Sequence, residues 1–336
     1  MKIVVTEFCG LGNSVLLSSG LKTLKNADFH ITLIGNNKFG GMSIHQHSKF
    51  IDERIDLSKF TYKIFTTFFK SLKNSDYIII PAHSNPSFFF LFILSLIPKK
   101  KIIISYKYFS NLNFIKKKFL KYTKKINKNN FIEIEYTNKS HEIEINRKFI
   151  DAIDFSFEKI SENILINYFD HPGDDNCIKK FMLEDKKYIV IQPFCANGLN
   201  NYGKLSKTWP FENFQKLTDI LLKKYKDYCI ILVGDEGDAK NLNHFKKNDK
   251  IINLLSKTSL SELISLLKNS SFIICHDSSI LHISDAMNLK NLSLFGPTIF
   301  EKNKPNHDNS FFIKNLSMDK ITVDEVSEVI NKNINN

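Results

Sequence analysis

Short β-branched and aromatic runs recur along the chain, each followed by a polar turn and then by apolar residues at helical spacing. Ile3-Val4-Val5, His30–Ile34, Ser75–Pro81 and Lys101–Ser105 have this character in the first half. In the second half it belongs to Tyr188–Pro193, Cys229–Val233, Ile251–Leu254, Phe272–Ile274 and Leu292–Phe295. Nearly continuous apolar runs of this length suit strands covered on both faces, the habit of parallel sheets. Helices are expected between them. Leu16, Leu17, Leu21 and Leu24 fall on one side of Val15–Lys25, and Phe214 and Leu217 follow Pro210, a residue favourable at a helix start. The alternation predicts an α/β fold.

A chain of 336 residues is long for one core and fits two domains. Polarity rises over residues 155–185, and His171-Pro172-Gly173-Asp174 is a cluster of breakers. The expected division is a domain over 1–160, a connection over 161–185 and a domain over 186–336. Both halves read as β/α alternation, without an internal repeat.

The most hydrophobic run, Ser87–Ile97, is shorter than the roughly 20 apolar residues that span a bilayer. It reads as a crossover helix buried against the sheet. With Pro98 and three lysines after it, an interfacial helix with a basic collar is the other reading. The formal net charge is +12, and Lys107–Asn130 is dense in lysine with interleaved Tyr and Phe. No helix-turn-helix, RRM or zinc pattern accompanies it, so a nucleic-acid partner is not expected. A solvated helix face, or a surface that steers an anionic glycolipid, accounts for it. The five cysteines are scattered without a C-x-x-C, which indicates a reducing cytosol and no structural metal. The first residues read as a strand rather than a signal peptide, so a cytoplasmic protein is expected. His45 and His47, two apart in a polar loop with no third ligand in view, read as surface histidines.

Two turns carry candidate chemistry. Cys9-Gly10-Leu11-Gly12-Asn13-Ser14 follows the first strand; its Gly-x-Gly lacks the third glycine of a dinucleotide fingerprint and is a weak signal alone. His276-Asp277-Ser278-Ser279 follows the strand at Phe272 and precedes a helical pattern through Ile280, Leu281, Ile283 and Met287. Polar residues at a strand's carboxyl end and a helix's amino end stand where open α/β sheets bind phosphate-bearing ligands. Asp277 and Ser279 can cap that helix, with His282 pointing to the same mouth. In the alternative reading Asp277 and Ser278 are only caps and His282 their partner.

Asp277-Ser278-Ser279-x-x-His282 followed by Phe295-Gly296-Pro297-Thr298 closely resembles the nucleotide-sugar signature of the lipopolysaccharide heptosyltransferases, glycosyltransferase family 9. Family members usually carry Gly where Ser279 stands. Lys207-Thr208-Trp209-Pro210, Gly234-x-x-x-Asp238 and Ser259-Leu260-Ser261-Glu262 resemble further family motifs, in the family's order, although Pro193-Phe194 replaces the usual Pro-Gly. Near the start, Gly10-x-Gly12-Asn13 and Leu21-Lys22-Thr23-Leu24 match a Gly-x-Gly-Asp turn and the end of its helix. The segment from His141-Glu142 to Asn146-Arg147 resembles the one before the family's interdomain connection.

The resemblance implies the GT-B fold, two Rossmann-like domains with parallel sheets facing a central cleft. It also implies an inverting glycosyltransferase that needs neither metal nor cofactor. The donor would be a nucleotide-diphosphate sugar, ADP-heptose by family likeness, and the acceptor an anionic glycolipid, the core of a lipopolysaccharide or lipooligosaccharide. Peripheral contact with the cytoplasmic face of the inner membrane follows from such an acceptor. Lys207 would contact the diphosphate, Asp238 or Glu236 the ribose hydroxyls, and Asp277, Ser278, Ser279, His282 and Gly12 the rest of the donor. Trp209 reads as a packing residue. Asn13 occupies the place of the family's proposed general base, and an amide cannot take a proton. Glu7 is then either the base or a solvated strand-end residue; with neither, stabilisation of the leaving phosphate carries the reaction. The alternative function is a nucleotide-sugar-binding or scaffold homologue with impaired transfer, supported by Asn13 and Ser279.

Overall fold

The structure is a computed structural model. It describes residues 1–334 apart from 60, 82, 83, 85, 97–101, 107–112, 127, 129, 130, 136, 138, 154–167, 196–206 and 236–247, with backbone alone at 39, 102–106 and 149. The chain divides into two units, Met1–Tyr168 and Phe169–Asn336.

In the first unit the elements run β1 (Lys2–Glu7), α1 (Leu11–Asn26), β2 (His30–Gly35), α2 (Gly41–Ile44), β3 (Glu53–Asp56), α3 (Tyr62–Asn74) and β4 (Tyr77–Ile80). They continue with α4 (Phe88–Ser95), β5 (Ile102–Tyr106), α5 (Phe114–Ile126), β6 (Phe131–Ile134) and α6 (Glu142–Asp151). The strands form one parallel sheet in the order β3-β2-β1-β4-β5-β6. Alternate residues of β1 serve opposite faces. Ile3 and Val5 join Leu17, Leu21 and Ile145 on one side, while Val4 joins Phe68, Phe90 and Leu94 on the other.

Helix α1 starts four residues before the apolar pattern at Val15. Gly10 takes extended backbone at the N-cap, φ −84° and ψ 171°, so Gly12, Asn13 and Ser14 belong to the first turn rather than to a loop. In the apolar run, α4 buries Phe90, Leu91 and Leu94 against the sheet, as the crossover reading expects, and leaves Phe88 and Phe92 outside.

The second unit contains α7 (Asn176–Lys180), β7 (Lys187–Ile191), α8 (Phe211–Lys224), β8 (Tyr228–Leu232), β9 (Ile251–Asn253), α9 (Leu260–Lys268) and β10 (Phe272–His276). It ends with α10 (Ser279–Ala286), β11 (Asn291–Phe295), α11 (Phe300–Asn303), β12 (Ser310–Lys314) and α12 (Val323–Asn333). Its parallel sheet has the order β12-β11-β10-β7-β8-β9. Counted from its own first strand, each sheet is wound 3-2-1-4-5-6, the Rossmann order, with the winding reversing between β1 and β4 and between β7 and β10. Ligands of such sheets bind past the carboxyl ends of the strands at that reversal.

Residues before β7 pack on the second unit: Lys180 Nζ lies 2.7 Å from Glu262 Oε1, and Ser265 Oγ donates to Asp175 Oδ1 at 2.7 Å. Ser259 and Glu262 close the capping box of α9, with the Ser259 N–H donating to Glu262 Oε2 at 2.7 Å. The tail helix α12 packs beside α8, where Tyr225 Oη donates to Asn331 Oδ1 at 2.7 Å, and its Val326 and Ile330 enter the core.

Trp209, the single tryptophan, is fully buried against Phe214, and its indole N–H donates to the Ile321 carbonyl at 2.9 Å. Trp209→Phe leaves that carbonyl without its donor and opens a void. We expect a loss of about 2–3 kcal/mol in chemical denaturation followed by circular dichroism. A loss within measurement error would contradict this packing role.

Candidate functional site

In the second unit the winding reversal is bridged by side chains from both neighbouring strands. Gln192 lies just past β7 and Asp277 just past β10, and both are buried. Ser278 Oγ donates to Gln192 Oε1 at 2.6 Å. A carboxylate withdrawn from water needs charged or polar donors. Asp277 has two: Lys207 Nζ lies 3.4 Å from Oδ2, and Asn303 Nδ2 donates to Oδ1 at 3.2 Å. Asp277 is 3% exposed at its side chain and Lys207 34%, so the ammonium is anchored at its buried end of the contact and still open to solvent.

These bonds alter the expected capping of α10. Ser278 occupies the N-cap in extended backbone, yet no side chain caps the helix. Asp277 is committed to Lys207 and Asn303, and the Ser278 hydroxyl to Gln192. The N–H groups of the first turn therefore have no side-chain cap, at the positive end of the helix dipole. Ser279 is the first helical residue, and His282, in the same turn, is buried. Gly296 allows the turn after β11 to sit close: a Cβ there would come within 2.7 Å of Met318 Cγ.

His276, which the sequence places in the polar turn without a role of its own, ends β10. It is fully buried, its Nε2 accepts the Trp209 backbone N–H at 3.1 Å, and its proton therefore sits on Nδ1. Burial, with Lys207 adding to it and Asp277 opposing, lowers its pKa to about 3. It is a neutral strut between the Lys207–Pro210 loop and β10. Gln192 and Asn303 were missed as well. A polar residue ending a buried strand is a faint signal for Gln192; for Asn303 there is none, since its partner lies 26 residues away.

In the first unit, Glu7 ends β1 and is buried, not solvated. Its Oε1 accepts from Ser14 Oγ at 2.5 Å and from Cys9 Sγ at 2.7 Å, and its Oε2 is 4.0 Å from His45 Nε2. His45 is buried too, which corrects the surface reading; His47 is exposed. Burial, reinforced by Arg54 and opposed by the Ser14 backbone, lowers the His45 pKa to about 3. Burial and then Glu7 push the Cys9 thiol well up. Gly41 packs on this cluster: a Cβ there would lie 2.5 Å from the Cys9 carbonyl oxygen and 2.7 Å from Glu7 Oε1. Glu7 thus ties the end of β1, the first turn of α1 and the start of α2. Gly12 and Asn13 are half-buried, and Asn13 makes no side-chain hydrogen bond among the described residues. Lys22 sits 3.6 Å from the Tyr168 ring centre. Glu236 and Asp238, the ribose candidates, lie outside the described residues. Among the described residues no three His, Cys, Asp or Glu side chains cluster as metal ligands would.

The two neutral histidines have a thermodynamic signature. Both pKa values fall from the ordinary 6.5 to about 3 on folding, so the unfolded chain binds the extra protons. Their contribution is complete above pH 6.5 and is lost as pH falls toward 3. Between about pH 6 and 5 the slope should approach two protons, about 2.7 kcal/mol per pH unit. His45→Gln should halve it. A flat unfolding free energy across that window would contradict neutral burial of both rings.

A sequence model of glycosyltransferase family 9 (heptosyltransferase) matches residues 67–329. Lipooligosaccharide heptosyltransferase 2 of Haemophilus influenzae is 27% identical over 124 residues, an alignment that spans 35% of this chain and 35% of that protein. The chain thus matches about a third of the length of that curated relative. Among solved structures, the E. coli ADP-heptose lipopolysaccharide heptosyltransferase II superposes with a TM-score of 0.72 at 16% identity, covering 99% of this chain and 98% of that one. The E. coli heptosyltransferase WaaC with ADP gives 0.66 at 16% identity, covering 99% and 100%. These structural likenesses establish the fold, two Rossmann-like domains of the GT-B class. The family match runs from α3 through α12 and takes in the whole Lys207, Asp277 and α10 region, and on it the chain belongs to glycosyltransferase family 9, the heptosyltransferases.

Proposed function

We propose that the protein is an inverting glycosyltransferase that moves a heptose from ADP-heptose to the core of a lipopolysaccharide or lipooligosaccharide. Family membership supports the reaction class. The observation that carries the reading is the group of Lys207, Asp277 and Asn303 beside the uncapped amino end of α10, at the winding reversal of the second sheet. The donor follows from the relatives named for ADP-heptose and bound to ADP, and the acceptor from the lipooligosaccharide enzyme.

In this reading the acceptor hydroxyl attacks the anomeric carbon opposite the diphosphate. The carbon–oxygen bond to phosphate breaks through an oxocarbenium-like state, and negative charge gathers on the departing ADP. Lys207 and the N–H groups at the start of α10 meet that charge as it forms, where fixed donors are worth most. Asp277 and Asn303 hold the ammonium in register, and Ser278 is fixed by Gln192. His282 shapes the same helix end from within, Ser279 offers its backbone N–H, and Glu236 or Asp238 takes the ribose. In the first unit Asn13 orients the acceptor hydroxyl without taking its proton, and Gly12 lets the backbone approach. Glu7, buried and engaged by Ser14 and Cys9, acts by holding this turn. Stabilisation of the leaving group then carries the rate without a side-chain base, and the proton of the acceptor hydroxyl passes to solvent water as the new carbon–oxygen bond forms. An acceptor carried on lipid brings the protein to the cytoplasmic face of a membrane.

Acceptor-dependent release of ADP in EDTA is the expected result with ADP-heptose and a truncated lipooligosaccharide. Lys207→Ala should lower kcat about 100- to 1,000-fold, with partial recovery in Lys207→Arg. Binding of ADP-heptose with no release, for any core acceptor, would favour the impaired homologue, and no binding of any nucleotide sugar would remove the family function.

Asn13→Asp restores a carboxylate at the turn. We expect kcat to rise about 100-fold and to acquire a dependence on deprotonation of that group. An unchanged rate and pH profile would mean that residue 13 does not face the acceptor hydroxyl.

A further inference from the structure

Helices α4 and α5 of the first unit share an outer face with an unusual composition. Along α4 and its C-cap, Phe88, Phe92 and Leu96 follow one another at four-residue spacing and are 48%, 42% and 57% exposed. The α5 ring of Phe119 lies against them, 4.9 Å from Phe88 and 6.2 Å from Phe92 between centroids. Ile115 and Tyr122, one turn to either side of Phe119, are 53% and 55% exposed, and Phe114 is 81% exposed. The apolar strip therefore crosses from one helix to the other. The inner side of both helices is spent on the core, through Phe90, Leu91 and Leu94 and, more peripherally, Phe119 and Leu120.

The charge beside the strip is of one sign. Helix α5, FIKKKFLKYTKKI, has six lysines and no carboxylate. Lys124 pairs with Glu133. Lys117, Lys118, Lys121 and Lys125 are exposed around Ile115 and Tyr122. Exposed phenyl and aliphatic groups ringed by lysines suit an interface with a low-dielectric interior and an anionic surface. A nucleic acid would answer the lysines alone, because a phosphate backbone gives Phe88, Phe92 and Leu96 nothing apolar to enter. Helix α4 is too short to cross a bilayer, and no helix of the described residues is long and apolar enough to do so.

We propose that the α4–α5 face is a membrane-docking surface, with Phe88, Phe92, Phe114 and Ile115 entering the interfacial layer and the α5 lysines meeting anionic lipid headgroups. It rests on the proposed lipid-borne acceptor for its purpose, though not for its physics. The two readings of the apolar run combine: one side of α4 is core and the other is interfacial. Docking places the first unit on the surface from which a glycolipid acceptor projects, so the acceptor search becomes two-dimensional.

The test is sedimentation of the purified full chain with phosphatidylcholine vesicles, with or without about 30% phosphatidylglycerol, in about 0.1 M salt. We expect binding that needs the anionic lipid and weakens in high salt. Lys117→Gln, Lys118→Gln and Lys121→Gln together should lower the partition coefficient about 100-fold, near fivefold per lysine. Phe114→Ser with Ile115→Ser, both exposed and outside the core, should abolish binding while leaving circular dichroism unchanged. Neutralising Lys216, Lys223 and Lys224 on α8 is the control for net charge and should have little effect. No binding by the unaltered protein, or equal losses in the α5 and α8 variants, would overturn the proposal. So would α5-dependent binding of duplex DNA that competes with the vesicles. Turnover on a water-soluble, delipidated acceptor separates this outcome from the catalytic one: docking variants should retain it. Vesicle binding without turnover would keep the surface and remove the transfer reading, and turnover without vesicle binding would do the reverse.

Discussion

A carboxylate taken out of water must be met by donors, and at the end of β10 that requirement organises the carboxyl end of the second unit's sheet. Asp277 draws Lys207 from the loop before α8 and Asn303 from α11 to one point. Because the carboxylate is occupied, it does not cap α10, and because the Ser278 hydroxyl is turned to Gln192, neither does its neighbour. The result is a helix amino end without a side-chain cap, beside a positioned ammonium. A self-capped α10 would be locally more stable by about 1 kcal/mol and would offer an anion less. His276 and Trp209 hold the lysine-bearing loop from behind, through a backbone N–H given to a neutral imidazole.

The two sheets share a winding but use its reversal differently. In the second unit the charged groups at that place are Lys207 and Asp277. In the first, Glu7 is consumed internally by Ser14 and Cys9, and Gly41 is pressed so closely on them that a methyl group would clash. What this turn leaves facing outward is the half-buried Asn13, an amide. In the proposed transfer the second unit would bind and stabilise the anionic donor and the first would orient the neutral acceptor hydroxyl.

The central strands were legible because a parallel strand buried on both faces has to be apolar through its middle, as β1, β4, β7 and β10 are. Of the edge strands only β9 was, as Ile251–Leu254. β3 exposes Glu53 and Arg54, and the apolar run of β12 is only Phe311-Phe312-Ile313, none of it fully buried. Gly10-x-Gly12 reads as a loop in sequence, yet only Gly10 precedes the helix. The burial of His45 and Glu7 could not be read at all, since each is enclosed by residues from other elements. The site was legible in its residue types and not in its bonding. Asp277 and Ser278 suggest caps by position, and only partners 70 and 26 residues away from Asp277 and 86 away from Ser278 redirect them.

In the proposed transfer the amino end of α10 receives the diphosphate. Hydrogen exchange of the full chain, followed by mass spectrometry with and without saturating ADP, tests it most directly. Amides over residues 277–283 should slow on binding, together with the segment around Lys207. Protection confined to the β1–α1 turn, or none in either place at ligand saturation, would contradict the account.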